Sequence, residues 1–269
     1  MALPDTEHLL LRRDGGVLHI TLNRPAARNA MSLTMVSELQ RSFDAVADDP
    51  TLRAVVLRGA GGHFCAGGDI KDMATARAQA AAGDADAYLR FNRQFGAMLE
   101  QANALPAVLI CVLEGAVLGG GFGLACIADV ALAADDARFG LPETSLGILP
   151  AQIAPFVVQR VGLTQARRLA LTGARFDGRK AAHWGLVHEV ATAAELDTLL
   201  TETLDALRHC APAANRATKA LLLKTLVQPL DQVLDQAAAD FAAAVTGDEG
   251  AEGTLAFIQK RAPRWAEEI

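Results

Sequence analysis

Residues 107–129, AVLICVLEGAVLGGGFGLACIAD, carry the pattern that decides the fold class. Ala107–Leu113 is apolar at every position, as in a strand covered on both faces. Glu114 and Gly115 interrupt it, Gly119–Gly121 make a bend, and a short helix is expected over Gly120–Ala128. Another strand follows at Asp129–Ala134. Upstream the alternation repeats. Val17–Leu22 (VLHITL) and Arg53–Arg58 (RAVVLR) read as strands bounded by glycines. Between them Ser32 can cap a helix to about Asp48, with Leu33, Val36, Leu39, Phe43 and Val46 at helical spacing. Tyr88–Leu105 reads as a second long helix, ended by Pro106. Strands alternating with helices in this order predict an α/β architecture.

From Gln165 onward the pattern turns helical. Thr164 can cap Gln165–Thr172, and Glu195–Cys210, Ala213–Val227, Leu230–Thr246 and Gly250–Arg261 continue the run. Alanine-rich helices have narrow faces that pack closely, which fits a subunit interface or ordinary packing within the chain.

Composition removes several classes. The chain has 269 residues, 51% hydrophobic and 21% charged, with mean hydropathy +0.21 and net charge −6, which is no solvated tail. Gly 23 and Pro 10 exclude a collagen-like chain. The greasiest stretch, Leu105–Ala128, is broken by Glu114 and the glycines before it reaches the roughly 18–20 apolar residues of a membrane span. Met1–Asp5 carries no basic segment ahead of an apolar core, so no secretory signal is expected. Cys65, Cys111, Cys126 and Cys210 lack CxxC spacing and read as buried free thiols in a reducing, cytoplasmic setting. The acidic balance argues against nucleic acid as a partner. Arg160, Arg167, Arg168, Arg175, Arg179 and Lys180 form a local basic group, read as a solvated face or a meeting point for an anion.

Familiar catalytic motifs are missing. GxGxxG fails at both glycine clusters, where Phe64 and Leu124 take the last glycine position. A Walker loop fails at Gly121, no HExxH occurs, and none of the serines lies in GxSxG. No metal and no cofactor are therefore expected. Carboxylate acid–base chemistry with backbone amides as electrophilic help remains.

Two loops could supply such amides. His63–Lys71 (HFCAGGDIK) leaves the strand at Arg53–Arg58, and Gly115–Gly123 (GAVLGGGFG) leaves the strand at Ala107–Leu113; each bends and enters a helix. A helix N-terminus presents unpaired N–H groups and favours negative charge. Two donors converging on one point would make an oxyanion hole; otherwise the glycines serve tight turns and close packing. Glu143, in FGLPETSLGILP (139–150), has apolar company and no adjacent Lys or Arg. Burial there would raise its pKa, as a proton carrier near neutral pH requires; the other reading is an exposed loop glutamate.

These segments, in order along almost the whole chain, resemble the enoyl-CoA hydratase/isomerase (crotonase) superfamily. The match runs through Asn23–Ser32 (NRPAARNAMS), Phe64–Lys71, Gly115–Asp129 with Phe139–Gly147, Leu171–Gly173, Ala181–Val190 (AAHWGLVHEV) and Phe257–Pro263 (FIQKRAP). The resemblance implies a spiral of ββα units over residues 1–195 and a helical C-terminal trimerisation region over residues 196–269. It also implies an acyl-CoA thioester substrate, whose coenzyme A is part of the substrate, and a homotrimer or hexamer. By the same alignment Gly68 and Gly120 would hold a thioester enolate, and Glu143 would be the acid/base. Ala66, Gly68, Asp69, Ile70 and Lys71 would line the substrate channel. Arg28 and Lys71 would meet phosphates, with Lys260 reaching in from a neighbouring subunit.

One departure matters. Typical hydratases of the family carry a second glutamate where this chain has Gly123. One carboxylate suffices to move a proton between C2 and C4, as an enoyl-CoA isomerase does. Leu149–Arg160 (LPAQIAPFVVQR) is nevertheless similar to branched-chain hydratases that act on isohexenylglutaconyl-CoA, and Gln152 there is a candidate to hold water. Three functions are therefore carried forward: a hydratase, an isomerase using Glu143 alone, and a non-catalytic CoA- or RNA-binding relative. The intact Glu143 and the acidic charge count against the last.

Overall fold

The computed structural model describes residues 3–267, so the outermost positions of the two expected regions, Met1, Ala2, Glu268 and Ile269, lie outside the described residues. β1 (Leu9–Asp14) and β2 (Val17–Leu22) pair antiparallel across a turn at Gly15, whose φ of +53° suits glycine. α1 (Leu33–Ala47) follows, with the Ser32 hydroxyl accepting from the Met35 N–H at 3.2 Å, as expected of an N-cap. Its Met35, Val36, Leu39, Phe43 and Val46 are buried.

β3 (Ala54–Gly59), α2 (Ile70–Ala81), α3 (Ala87–Asn103), β4 (Val108–Leu113), β5 (Ala116–Leu118), α4 (Gly120–Ile127), β6 (Val130–Ala134) and β7 (Arg138–Gly140) come next. Then come α5 (Ala154–Thr172), β8 (Arg175–Phe176), α6 (Gly178–His183) and β9 (Glu189–Ala191). Among the described residues the strands form a six-stranded sheet ordered β1-β2-β3-β4-β6-β9 and a three-stranded sheet ordered β5-β7-β8. All neighbours from β2 to β9 in the larger sheet are parallel.

Each turn of the chain lays a strand in one sheet, a short strand in the other, and closes with a helix. β4, β5 and α4 make one such turn, and β6, β7 and α5 the next. The turn before them is β3, a bridge from Cys65 to Val117, and α2. This is the expected ββα spiral. β4 is buried along nearly its whole length because helices cover both faces of a parallel sheet.

The chain ends in α7 (Leu196–Arg208), α8 (Pro212–Lys224), α9 (Leu230–Thr246) and α10 (Asp248–Gln259). The expected boundary falls at the start of α7, whose Leu196 and Leu200 belong to the same buried cluster as the sheet. No helix among the described residues is long and apolar enough to cross a membrane.

Several expectations need correction. A strand, β5, stands between the Gly115 bend and α4, because the second sheet takes residues 116–118. An additional helical stretch, with Pro155 in its first turn, precedes the expected helix from Ala154. Gly162, at φ +74°, breaks the helical dihedrals within Ala154–Thr172, so the expected helix over Gln165–Thr172 is the second part of this span. Arg160 is no solvated cation: its guanidinium donates to the Leu186 and Ala128 carbonyls at 2.9 and 3.2 Å. Cys65, Cys111 and Cys126 are buried as expected, but Cys210 is exposed.

Candidate active site

The two glycine loops lie side by side. The Cys65 N–H donates to the Ala116 carbonyl at 2.8 Å, and the Leu118 N–H donates back to the Cys65 carbonyl at 2.9 Å. This ladder brings the start of α2 beside the start of α4. Gly67 (φ +105°) and Gly119 (φ +50°) take left-handed backbone that side chains rarely adopt, and thereby set the orientation of the next peptide. The next residues are Gly68 and Gly120. Neither of their N–H groups donates to another described residue, and both residues line one cavity of about 140 Å³. Gly120 is the first residue of α4, where no intrahelical acceptor exists.

Glu143 lines the same cavity. It sits in a 3-10 turn (Glu143–Leu146) directly after β7, held by an aromatic cluster. Phe139 of β7 stacks on Phe176 of β8 with ring centroids 5.6 Å apart, and Phe122 of α4 meets both edge-on. A methyl group on Gly119 would lie 2.9 Å from Glu143 Oε1, so the missing side chain lets the carboxylate close onto the loop. Oε2 is buried with no hydrogen-bond partner among the described residues. Burial pushes the pKa above its ordinary 4.5. The exposed-loop reading of Glu143 is thus set aside by its surroundings, which include Met31, Phe95, Ile148 and Leu149.

The remaining predicted residues surround the Gly68 loop. Burial opposes ionisation of Asp69, yet the Lys71 N–H and the Arg24 guanidinium, 2.7 Å away, outweigh it and hold the carboxyl below its ordinary value. Its side chain therefore caps α2 and anchors the loop. Ile70 and Lys71 are exposed beside Gly68. Arg28 is exposed, and its carbonyl accepts from the Ala66 N–H at 3.0 Å. Lys260 is exposed at the end of α10.

Sequence reasoning gave no role to Asn29 or Asn92, both of which shape this site. Asn29, fully buried at φ +56°, donates to the Ala60 and His63 carbonyls and accepts from the Arg24 N–H. It ties the strap before α1 to the strand end from which the first loop leaves. Its signal was an asparagine within a turn-rich stretch, where asparagine tolerates left-handed backbone. Gly123, at the position of the absent glutamate, packs against Ile153: a methyl group there would fall 2.4 Å from Ile153 Cγ2. Gln152 and Asn92 add the other polar side chains lining the cavity besides Glu143.

Paired N–H donors and one desolvated carboxylate in an apolar cavity can stabilise an enolate while a proton moves at the adjacent carbon. The comparisons with known proteins agree with that chemistry. Residues 12–268 match the family model described as Enoyl-CoA hydratase/isomerase. A probable enoyl-CoA hydratase of Mycobacterium bovis is 35% identical over 260 residues, covering 96% of this chain and 98% of that protein. The peroxisomal Delta(3,5)-Delta(2,4)-dienoyl-CoA isomerase of Arabidopsis thaliana is 30% identical, covering 94% of each chain. Among solved structures, Pseudomonas aeruginosa AtuE superposes with a TM-score of 0.93 at 66% identity, covering 97% of this chain and 100% of that one. Fold, site and relatives converge, and the chain is a member of the enoyl-CoA hydratase/isomerase (crotonase) superfamily and an enzyme of that family.

Proposed function

We propose that the protein adds water across the double bond of an enoyl-CoA thioester. The observation that carries this reading is the Glu143 carboxylate, one oxygen buried without a partner, in the cavity lined by Gly68 and Gly120. The thioester oxygen accepts from the two N–H groups as negative charge builds on it. Glu143 takes a proton from water as the oxygen bonds to C3 and then delivers that proton to C2. Because the donors are fixed by the fold, no reorganisation is needed when charge develops. The resemblance of Leu149–Arg160 supports a branched, glutaconyl-type acyl group as the finer substrate. The only coenzyme in this scheme is the CoA of the substrate. Cytoplasmic residence and assembly as a homotrimer or hexamer belong to the same reading.

A second reading has its own support. Ile153 fills the space beside Gly123, so the carboxylate pair of typical hydratases is absent, and Glu143 alone would serve an enoyl-CoA isomerase. Mass spectrometry separates the two on a panel of straight 2-enoyl, straight 3-enoyl and 3-branched glutaconyl-type CoA esters. Gain of one water on a 2-enoyl or glutaconyl ester is expected. Conversion of the 3-enoyl to the 2-enoyl ester without any hydration would replace the hydratase by the isomerase.

A further inference from the structure

The absent glutamate leaves a chemical gap. A carboxylate that both removes a proton from water and returns it to carbon does not by itself hold the water with a lone pair facing C3. The structure fills the gap from another element. Gln152, the residue before Ile153, turns its amide toward α3: its Nε2 donates to Asn92 Oδ1 at 2.9 Å. A methyl group on Gly96 would lie 1.8 Å from Gln152 Oε1, so the amide rests in a notch that only glycine leaves open. Nothing about the helix asks for that glycine, since Gly in a helix interior is less favourable than alanine. Gly96 and Leu99 lie one turn apart on one face of α3, and Leu99 Cδ1 would be 3.4 Å from a methyl group on Gly123. Neighbours three apart on a helix have Cβ positions about 5–6 Å apart. The Gln152 amide thus stands one helical turn from the point where a side chain at residue 123 would enter. Gln152, Asn92 and Glu143 line the same otherwise mainly apolar cavity.

We propose that the Gln152 amide, locked by Asn92 and the Gly96 notch, orients the water that adds to C3, in place of the carboxylate that Gly123 lacks. This rests on the hydratase reading. Water donates one hydrogen to Glu143 and the other to Gln152 Oε1, which leaves a lone pair on the line to C3. The water oxygen bonds to C3, its proton goes to Glu143, and the π electrons move onto the thioester oxygen held by Gly68 and Gly120. The enolate then collapses and takes the proton from Glu143 at C2, which restores the carboxylate. An amide suits this role because it orients water without competing for the proton. Gln152 touches the water and is a catalytic residue; Asn92 is a positioning residue.

The test compares two reactions in the full-length protein. Hydration of a 2-enoyl-CoA needs the oriented water. Deuterium uptake at C2 of a saturated acyl-CoA in D2O needs only Glu143 and the N–H donors. In Gln152→Leu the ratio of hydration to exchange is expected to fall about 100-fold, the scale of a reactant misplaced by about 1 Å. Gly96→Ala, favourable for the helix itself but evicting the amide, should lower the same ratio and serves if the Leu variant does not fold. An equal loss of both reactions, or a ratio that does not move, overturns the role of Gln152 while the hydratase stands. Absence of hydration by the unsubstituted protein removes the hydratase reading, and this inference with it.

Discussion

Glu143 keeps one oxygen against Gly119 and the other without a partner, and this environment has opposite consequences for stability and for catalysis. A carboxylate whose folded pKa is raised favours folding only in its protonated form. That contribution is present below the ordinary 4.5 and is lost as pH rises through the folded value. At neutral pH Glu143→Gln should therefore raise the melting temperature while abolishing turnover and leaving CoA-ester binding. Near-full activity in that variant would remove Glu143 from the reaction. As the base, Glu143 must be ionised, so kcat/KM should fall with decreasing pH along a limb displaced above 4.5. A limb at or below 4.5 would contradict its burial. Gly120 allows a second test. Proline is tolerated at the first helical position because no N–H is needed there for the helix. Gly120→Pro should lose about 10²–10³ in rate relative to Gly120→Ala, which adds a Cβ of similar bulk but keeps the donor. Equal activity in the two variants would refute the oxyanion hole.

At the scale of elements, the turn bearing Glu143 depends on packing behind it. Phe139 is fully buried between Phe122 and Phe176, and Phe176 meets Trp184, the residue that ends α6, with ring centroids 4.8 Å apart. Phe139→Ala should cost about 3–5 kcal/mol in urea unfolding, the range for a large aromatic removed from a core. A loss below about 1 kcal/mol, the size of a surface effect, would mean that the cluster does not hold β7 in place. The Ser32 cap and the apolar spacing of α1 were legible because a cap and an amphipathic face are set by neighbours a few residues apart. β5, β7 and β8 were not. With two or three residues each, they exist only because the spiral stacks them, and so short a run has no periodicity to read.

At the scale of the whole molecule, the C-terminal helices leave apolar side chains uncovered. Leu230, Phe241 and Phe257 are each at least 70% exposed in the single chain, more than scattered surface residues would explain. A second chain packed on them fits the proposed trimer. Light scattering should return three or six times 28.3 kDa, and Phe241→Glu together with Phe257→Glu should lower the mass toward one chain. A mass of 28.3 kDa for the unsubstituted protein would refute the assembly.

By itself the sequence determined the alternation of the longer strands and helices, the two glycine loops and the glutamate between apolar neighbours. Periodicity, capping and turn chemistry act over a few residues and are written in the chain. Tertiary structure alone decided what meets what. Asn92 reaches Gln152 across 60 residues, Arg24 holds Asp69, Ile153 fills the space beside Gly123, and Gly119 admits Glu143. Each of these depends on distance, exclusion of water and the room left by an absent side chain. Those quantities arise only when remote segments are folded against one another.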